Sequence, residues 1–209
     1  MEPRADERDR EASVRLRVTP ETPARPLPNV VIRELRWNDF DAIRENYMLL
    51  YEERRENPEI GITLFEDPPS YSDEVGWFAG LYRDVLSGIS IVSVADRDGV
   101  AVGQCTVRRE GPPGESENAH VGHLGIVVHR DHRGSGAGRA LMRHALAECR
   151  GKFEVVRLSV FSVNVRARKL YEEMGFVYLG TIPRAIHRGD RYLDEDLMFK
   201  VIDGPPANR

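Results

Sequence analysis

The sequence predicts one mixed α/β domain, and three observations carry that reading. Apolar runs of strand length alternate with stretches of helical spacing in the order βααβββαβαββ. No segment repeats, and no second apolar core follows the first. A basic turn with glycines at alternate positions (Gly134, Gly136 and Gly138) joins an apolar strand to a helix.

Residues 1–28 mix both charge signs with prolines and show little periodicity, which reads as a tail. Order begins at a short strand from Val30 to Arg36. A helix follows, with Asn38 or Asp39 as cap, Phe40, Ile43, Tyr47, Leu50 and Tyr51 near helical spacing, and Pro58 at its end. Ser70 or Ser72 caps a second helix closed by Gly88. Three strand-like runs come next, "GISIVSVAD", "GVAVGQCTVRRE" and "AHVGHLGIVV". Asp98-Gly99 between the first two is a hairpin signal. Beyond the glycine turn, Leu141, Met142, Ala145, Leu146 and Cys149 form one apolar stripe, while Arg139, Arg143 and Glu148 face away. A strand "EVVRLSVF", a helix from Asn164 to Met174 and a terminal hairpin complete the chain. Arg188-Gly189-Asp190 is read as turn chemistry at the hairpin tip. The expected organisation is a tail over 1–28, one domain over 29–203 and a short tail over 204–209.

A formal net charge of −4 gives no global sign of nucleic-acid binding. No apolar stretch approaches the roughly 18 residues of a membrane span, and the N-terminus lacks the apolar heart of a secretory signal. Cys105 and Cys149 read as reduced, buried thiols, so a cytoplasmic setting is expected.

A strand entering a helix through glycines leaves backbone N–H groups bare at the positive end of the helix dipole, where an anion is favoured. Phosphate suits such a turn. The dinucleotide fingerprint fails, because the slots that need its third glycine hold Arg139 or Leu141. The P-loop fails too, because the turn closes Gly138-Arg139-Ala140. Arg133-Gly134-Ser135-Gly136-Ala137-Gly138 instead resembles the acetyl-CoA pyrophosphate loop of the GCN5-related N-acetyltransferase (GNAT) superfamily, Arg/Gln-x-x-Gly-x-Gly/Ala. Downstream, Asn164, Ala167, Tyr171 and Gly175-Phe176 fit that family's pattern as well.

The resemblance implies a mixed, mostly antiparallel central sheet flanked by helices, with its fourth and fifth strands splayed apart. Acetyl-CoA, as co-substrate, would lie in that cleft. Its pantetheine would pair with the backbone of Ile126, Val127 and Val128, and its pyrophosphate would rest on Arg133, Gly134, Ser135, Gly136, Ala137, Gly138 and Arg139. Asn164 would help hold the pantetheine arm. Tyr171 would meet the thiolate that leaves when an amine attacks the thioester, and on a helix it shares a face with Asn164. Homodimerisation through the sheet or hairpin is a family-level expectation.

Many members carry a glutamate on the strand before the turn, but this strand has no carboxylate after Glu117. His123 is the candidate base, with His120 second, because imidazole titrates near neutrality. His120 and His123 would point to opposite strand faces, so no metal is expected there. Between Asp39 and Glu74 acidic residues far outnumber Arg44, Arg54 and Arg55. Those lining the cleft would favour a cationic amine, and the rest would be solvated helix faces. Trp77, Phe78 and Tyr82 read equally as core or acceptor pocket. The expected function is acetyl transfer to a primary amine of a small molecule or peptide by direct attack. Two alternatives stand beside it: a CoA-binding regulatory module, and an acyltransferase with another acyl donor or an oxygen acceptor.

Overall fold

A computed structural model describes residues 30–57, 59–110 and 116–202. The two expected tails, the terminating Pro58 and most of the "GPPGESEN" loop lie outside the described residues. The elements follow the expected order: β1 (Val30–Glu34), α1 (Phe40–Glu56), α2 (Tyr71–Leu86), β2 (Ser90–Arg97), β3 (Val100–Arg109), β4 (Val121–Val128), α3 (Ala137–Glu148), β5 (Val155–Phe161), α4 (Val165–Glu173), β6 (Val177–Arg188) and β7 (Arg191–Val201). The strands form one sheet in the order β1-β2-β3-β4-β5-β7-β6. Every neighbouring pair is antiparallel except β4 and β5, which run parallel.

The β4–β5 pairing sets the architecture. It spans only Val121↔Val155, Gly122↔Val156 and His123↔Arg157, so the two strands diverge beyond His123. The expected splay is therefore present. The gap it leaves in the sheet opens toward the turn at the end of β4.

Strand alternation sends successive side chains to opposite faces of the sheet. On one face Cys105, Val107, Leu124, Val156 and Leu158 pack against Leu141, Met142 and Ala145 of α3. The α3 stripe read from spacing is buried throughout, Leu141, Met142, Ala145 and Cys149 completely. Each such large side chain contributes about 1.5–3 kcal/mol of burial. On the other face Val92 and Val94 meet Ile43 of α1 and Phe78 and Leu81 of α2. Phe78 is thus core, whereas Trp77 is 41% exposed.

Local signals explain most boundaries. Ser70, not Ser72, caps α2: its hydroxyl accepts from Asp73 N, and Asp73 returns a bond to Ser70 N. Asp98 and Gly99 both have positive φ, at 54° and 88°, which makes the β2–β3 turn the primed type that suits a twisted hairpin. Asp39 precedes α1 as expected, but its carboxylate does not cap the helix. It takes two hydrogen bonds from the Arg33 guanidinium and one from Arg36 N. A buried ion pair with Arg33 of β1 takes the place of the cap.

Candidate active site

The turn after β4 ends at Gly136, whose φ of 98° belongs to the left-handed region that favours glycine. Immediately behind it α3 begins. Among the described residues the N–H groups of Gly136, Gly138 and Arg139 have no hydrogen-bond partner. They point from a helix N-terminus, so the turn fits an anion on its own geometry. Ser135 Oγ donates to His132 O, and Ala137 is buried, so these two shape the turn from behind.

A groove of about 690 Å³ runs past this turn. Its walls include Ile126, Val127, Val128, Arg133, Gly134, Gly136, Gly138, Arg139, Asn164 and Tyr171, ten of the thirteen residues expected at the site. Ser135, Ala137 and His123 are not among them. Sequence reasoning missed Arg166 and Lys169 of α4, which add positive charge to the same wall. Their spacing, three residues apart on the face that follows Asn164, was the available signal.

Two of the expected residues are held by protein partners. The Arg133 guanidinium forms a two-pronged pair with Glu53 of α1 at 2.5 and 2.9 Å, and its Nε donates to Val128 O. Arg139, whose place in the first helical turn called for an anion, finds one in Glu173 of α4. The counter-charge is internal.

The groove side of β4 has a free edge. His129 N donates to Val102 O and Val121 O accepts from Glu110 N, so odd-numbered residues turn their backbone toward β3. Even-numbered Ile126 and Val128 therefore turn theirs toward the gap.

Asn164 is the N-cap of α4, its Oδ1 accepting from Ala167 N. Its Nδ2 lies against Gly61, where an added Cβ would come within 2.1 Å. Two turns along, Tyr171 is 7% exposed. Burial, with Cys105 nearby, pushes its phenol well above the ordinary value. Asp196 of β7, also buried, fastens α4 in place by accepting from Arg168 Nη1 at 2.8 Å, Ser162 Oγ at 2.7 Å and Thr181 Oγ1 at 2.6 Å. Burial would raise its pKa, but these donors outweigh that and hold it low.

His123 stands at the last rung of the β4–β5 pairing, on the face opposite Leu124 and so opposite the α3 core. Desolvation lowers its pKa and Arg157 lowers it further, against the pull of Glu110 and Glu195. Both effects favour the neutral imidazole. His120 precedes the strand and gives its carbonyl to Glu154 N and Val155 N.

The segment between α1 and α2 closes the groove's other side. Arg188, at the hairpin tip, donates to Ile60 O at 2.9 Å and Ile62 O at 2.6 Å, while Arg54 donates to Phe65 O and Glu66 O. Arg188 thus does more than turn chemistry. No local sequence signal connects it to a loop more than a hundred residues earlier.

A model of the acetyltransferase (GNAT) family matches residues 32–176. The chain belongs to that family. It is an acetyltransferase, and acetyl-CoA is its co-substrate. This acetyltransferase is 29% identical over 180 residues to L-amino acid N-acetyltransferase AaaT of Escherichia coli, covering 84% of this chain and 99% of that protein. It is similar in structure to Salmonella typhimurium yncA, solved with acetyl-CoA, with a TM-score of 0.68 at 22% identity over 84% of this chain and 95% of that one. The ribosomal-protein-alanine N-acetyltransferase of Brucella melitensis gives a TM-score of 0.66 at 27% identity, covering 82% of this chain and 99% of the other. Among the described residues no group of three or more His, Cys, Asp or Glu is placed to hold a metal ion. No helix among them is long and apolar enough to cross a membrane.

Proposed function

We propose that the enzyme moves the acetyl group of acetyl-CoA to a primary amine of a small molecule by direct attack within a ternary complex. One observation carries the reading: Tyr171 lies in the wall of the same groove as Asn164 and the open N–H groups of Gly136 and Gly138. In this reading the pyrophosphate rests on the turn between Arg133 and Arg139, with Arg166 and Lys169 adding positive charge. The pantetheine amides continue along the free backbone of Ile126 and Val128. Asn164, its carbonyl engaged as a cap, offers Nδ2.

The acceptor enters from the opposite face, where His123 lies. There an ammonium gives a proton to His123 and attacks the thioester carbon as the free amine. The C–S bond breaks, and the proton shed by the new amide nitrogen balances the one the thiolate takes up. A free phenol has a pKa near ~10 and a thiol near ~8.5. Tyr171, raised further, therefore stays protonated and serves by hydrogen bonding the charge that develops on sulfur. Direct attack is supported by the cysteines: Cys105 and Cys149 are both fully buried, and burial pushes the Cys149 thiol up to about 12. A small-molecule acceptor is supported by AaaT, named for L-amino acids and aligned over almost its whole length.

Calorimetric titration with acetyl-CoA, followed by thiol release against an amine panel, tests the reading. Tyr171→Phe is expected to lower kcat about a hundredfold while acetyl-CoA affinity stays within about twofold. Unchanged kcat removes Tyr171 from the mechanism. No thiol release with any amine overturns the proposal.

A further inference from the structure

On the acceptor face the transfer step uses one bank of the splayed gap, β4, and leaves the other, β5 and β7, idle. The last rung between β4 and β5 joins His123 to Arg157, so Ser159 and Phe161 border the gap without a β4 partner. Side chains alternate along a strand. Leu158 and Val160 belong to the α3 core, and Ser159 and Phe161 therefore share the face of His123. One strand over, Phe161 pairs with Glu195 of β7. Asp196 turns to α4, where it holds Arg168, so Glu195 turns to the acceptor face. Its carboxylate is near enough to pull on the charge of His123 across the gap.

This face is open on the β4 side and covered at its far end. A Cβ built on Gly125, next on the face after His123, would meet nothing within 4 Å. At the far end the Arg188 guanidinium lies over the Phe161 ring, 5.0 Å from its centroid, anchored to Ile60 O and Ile62 O. Between them Glu195 stands out. It is partly buried, yet among the described residues its carboxylate makes no hydrogen bond and no ion pair. The arginines of this face are engaged elsewhere, Arg157 with Glu110 and Arg188 with the loop carbonyls. A carboxylate that loses water without gaining a donor is costly. β4 brings no carboxylate of its own to the gap, since the chain has none between Glu117 and the end of that strand. The opposite bank supplies one.

We propose that Glu195 receives the acceptor's ammonium group across the gap from His123, so that the site selects primary amines in their cationic form. The inference rests on the amine-acceptor reading above and names the residue that anchors the acceptor. One N–H of the ammonium faces the carboxylate while another gives its proton to His123. A neutral hydroxyl isostere brings one donor and no charge, so it leaves the carboxylate unmatched.

Binding measured apart from turnover tests this. Wild-type protein and Glu195→Gln, each saturated with CoA, are titrated calorimetrically with a panel of L-amino acids and n-alkylamines, and with the matching 2-hydroxy acids and alcohols. The wild type is expected to bind an amine and not its hydroxyl counterpart. Glu195→Gln should bind that amine about tenfold to a hundredfold more weakly, with unchanged acetyl-CoA affinity. Equal amine affinity in the variant, equal binding of the hydroxyl counterpart, or no amine binding by the wild type overturns the assignment. Should Glu195→Gln also lose acetyl-CoA, Glu195→Asp carries the comparison, because it keeps the charge and withdraws it by one carbon. A loss of amine affinity of about threefold to tenfold is expected there, and an unchanged affinity overturns the assignment. The two readings fail separately. Amine binding that depends on Glu195 without thiol release overturns the transfer reaction alone, whereas thiol release with an unchanged amine KM in Glu195→Gln overturns the receptor alone.

Discussion

Residues 133–139 and residues 59–66 flank the same groove but reach their shapes by different means. The first stretch is set by its own backbone: a left-handed glycine, a helix starting behind it, and bare N–H groups that follow from both. The second has no regular structure of its own and is held from outside, by Arg188 from the terminal hairpin and Arg54 from α1. Backbone recognition tolerates many side chains and suits a fixed partner such as acetyl-CoA. A loop held by distant side chains can change with few substitutions, which suits the side that chooses the acceptor.

The largest effect is expected at Gly136. Alanine there, at a φ of 98°, meets about 1–2 kcal/mol of backbone strain and crowds the anion site. Acetyl-CoA affinity should fall about tenfold to a hundredfold. Gly138→Ala, whose added carbon would sit 3.5 Å from Leu170 Cδ2 in ordinary contact, should change it less than about threefold. Equal losses in calorimetry would show that flexibility, and not geometry, shapes the turn. Glu53→Gln comes next. The Glu53 and Arg133 side chains are 11% and 35% exposed, so breaking the pair costs less than in a sealed core. A loss of about tenfold in acetyl-CoA affinity is expected. Full retention would make the turn independent of α1. Arg188→Ala should leave acetyl-CoA binding intact and raise the acceptor KM about fivefold, and the reverse split would exchange the roles of the two walls. The smallest effect concerns pH. Arg157 depresses His123 and is itself paired with Glu110. In Arg157→Gln the cation is gone and Glu110 is released, and both changes raise the His123 pKa. The acid limb of kcat/KM should therefore move to higher pH. An unmoved limb would dismiss His123 as the base.

Legibility followed the same division. The element order and the turn could be read because their signals are local: Asp98-Gly99 for a hairpin, a serine at 70 or 72 for a cap, alternating glycines before an apolar stripe; the splay came only with the family resemblance. Asn164 and Tyr171 were singled out by the family's downstream pattern, and seven residues on a helix return them to one face. Glu53, Arg188 and Asp196 were not, since each finds its partner across dozens of residues and only the finished fold makes them neighbours. Asp39 and Arg139 show the same limit in reverse. Local rules offered Asp39, with Asn38, as a helix cap and set Arg139 beside an anion, and packing gave the Asp39 carboxylate to Arg33 and brought Glu173 to Arg139.

The three rungs between β4 and β5 have a consequence for how the chain holds together. On one side β1 to β4 form an antiparallel meander with α1 and α2; on the other β5, β7 and β6 form a second antiparallel group with α4. These two units of the sheet are joined by a short seam and by one continuous apolar core around α3. A ligand lying along Ile126 on one bank and Asn164 on the other ties the two together. Its binding energy then adds to the cohesion of the units as RT ln(1 + [L]/Kd). Saturating co-substrate should slow hydrogen exchange most at the seam, because there separation of the two banks is the event that exposes the amides.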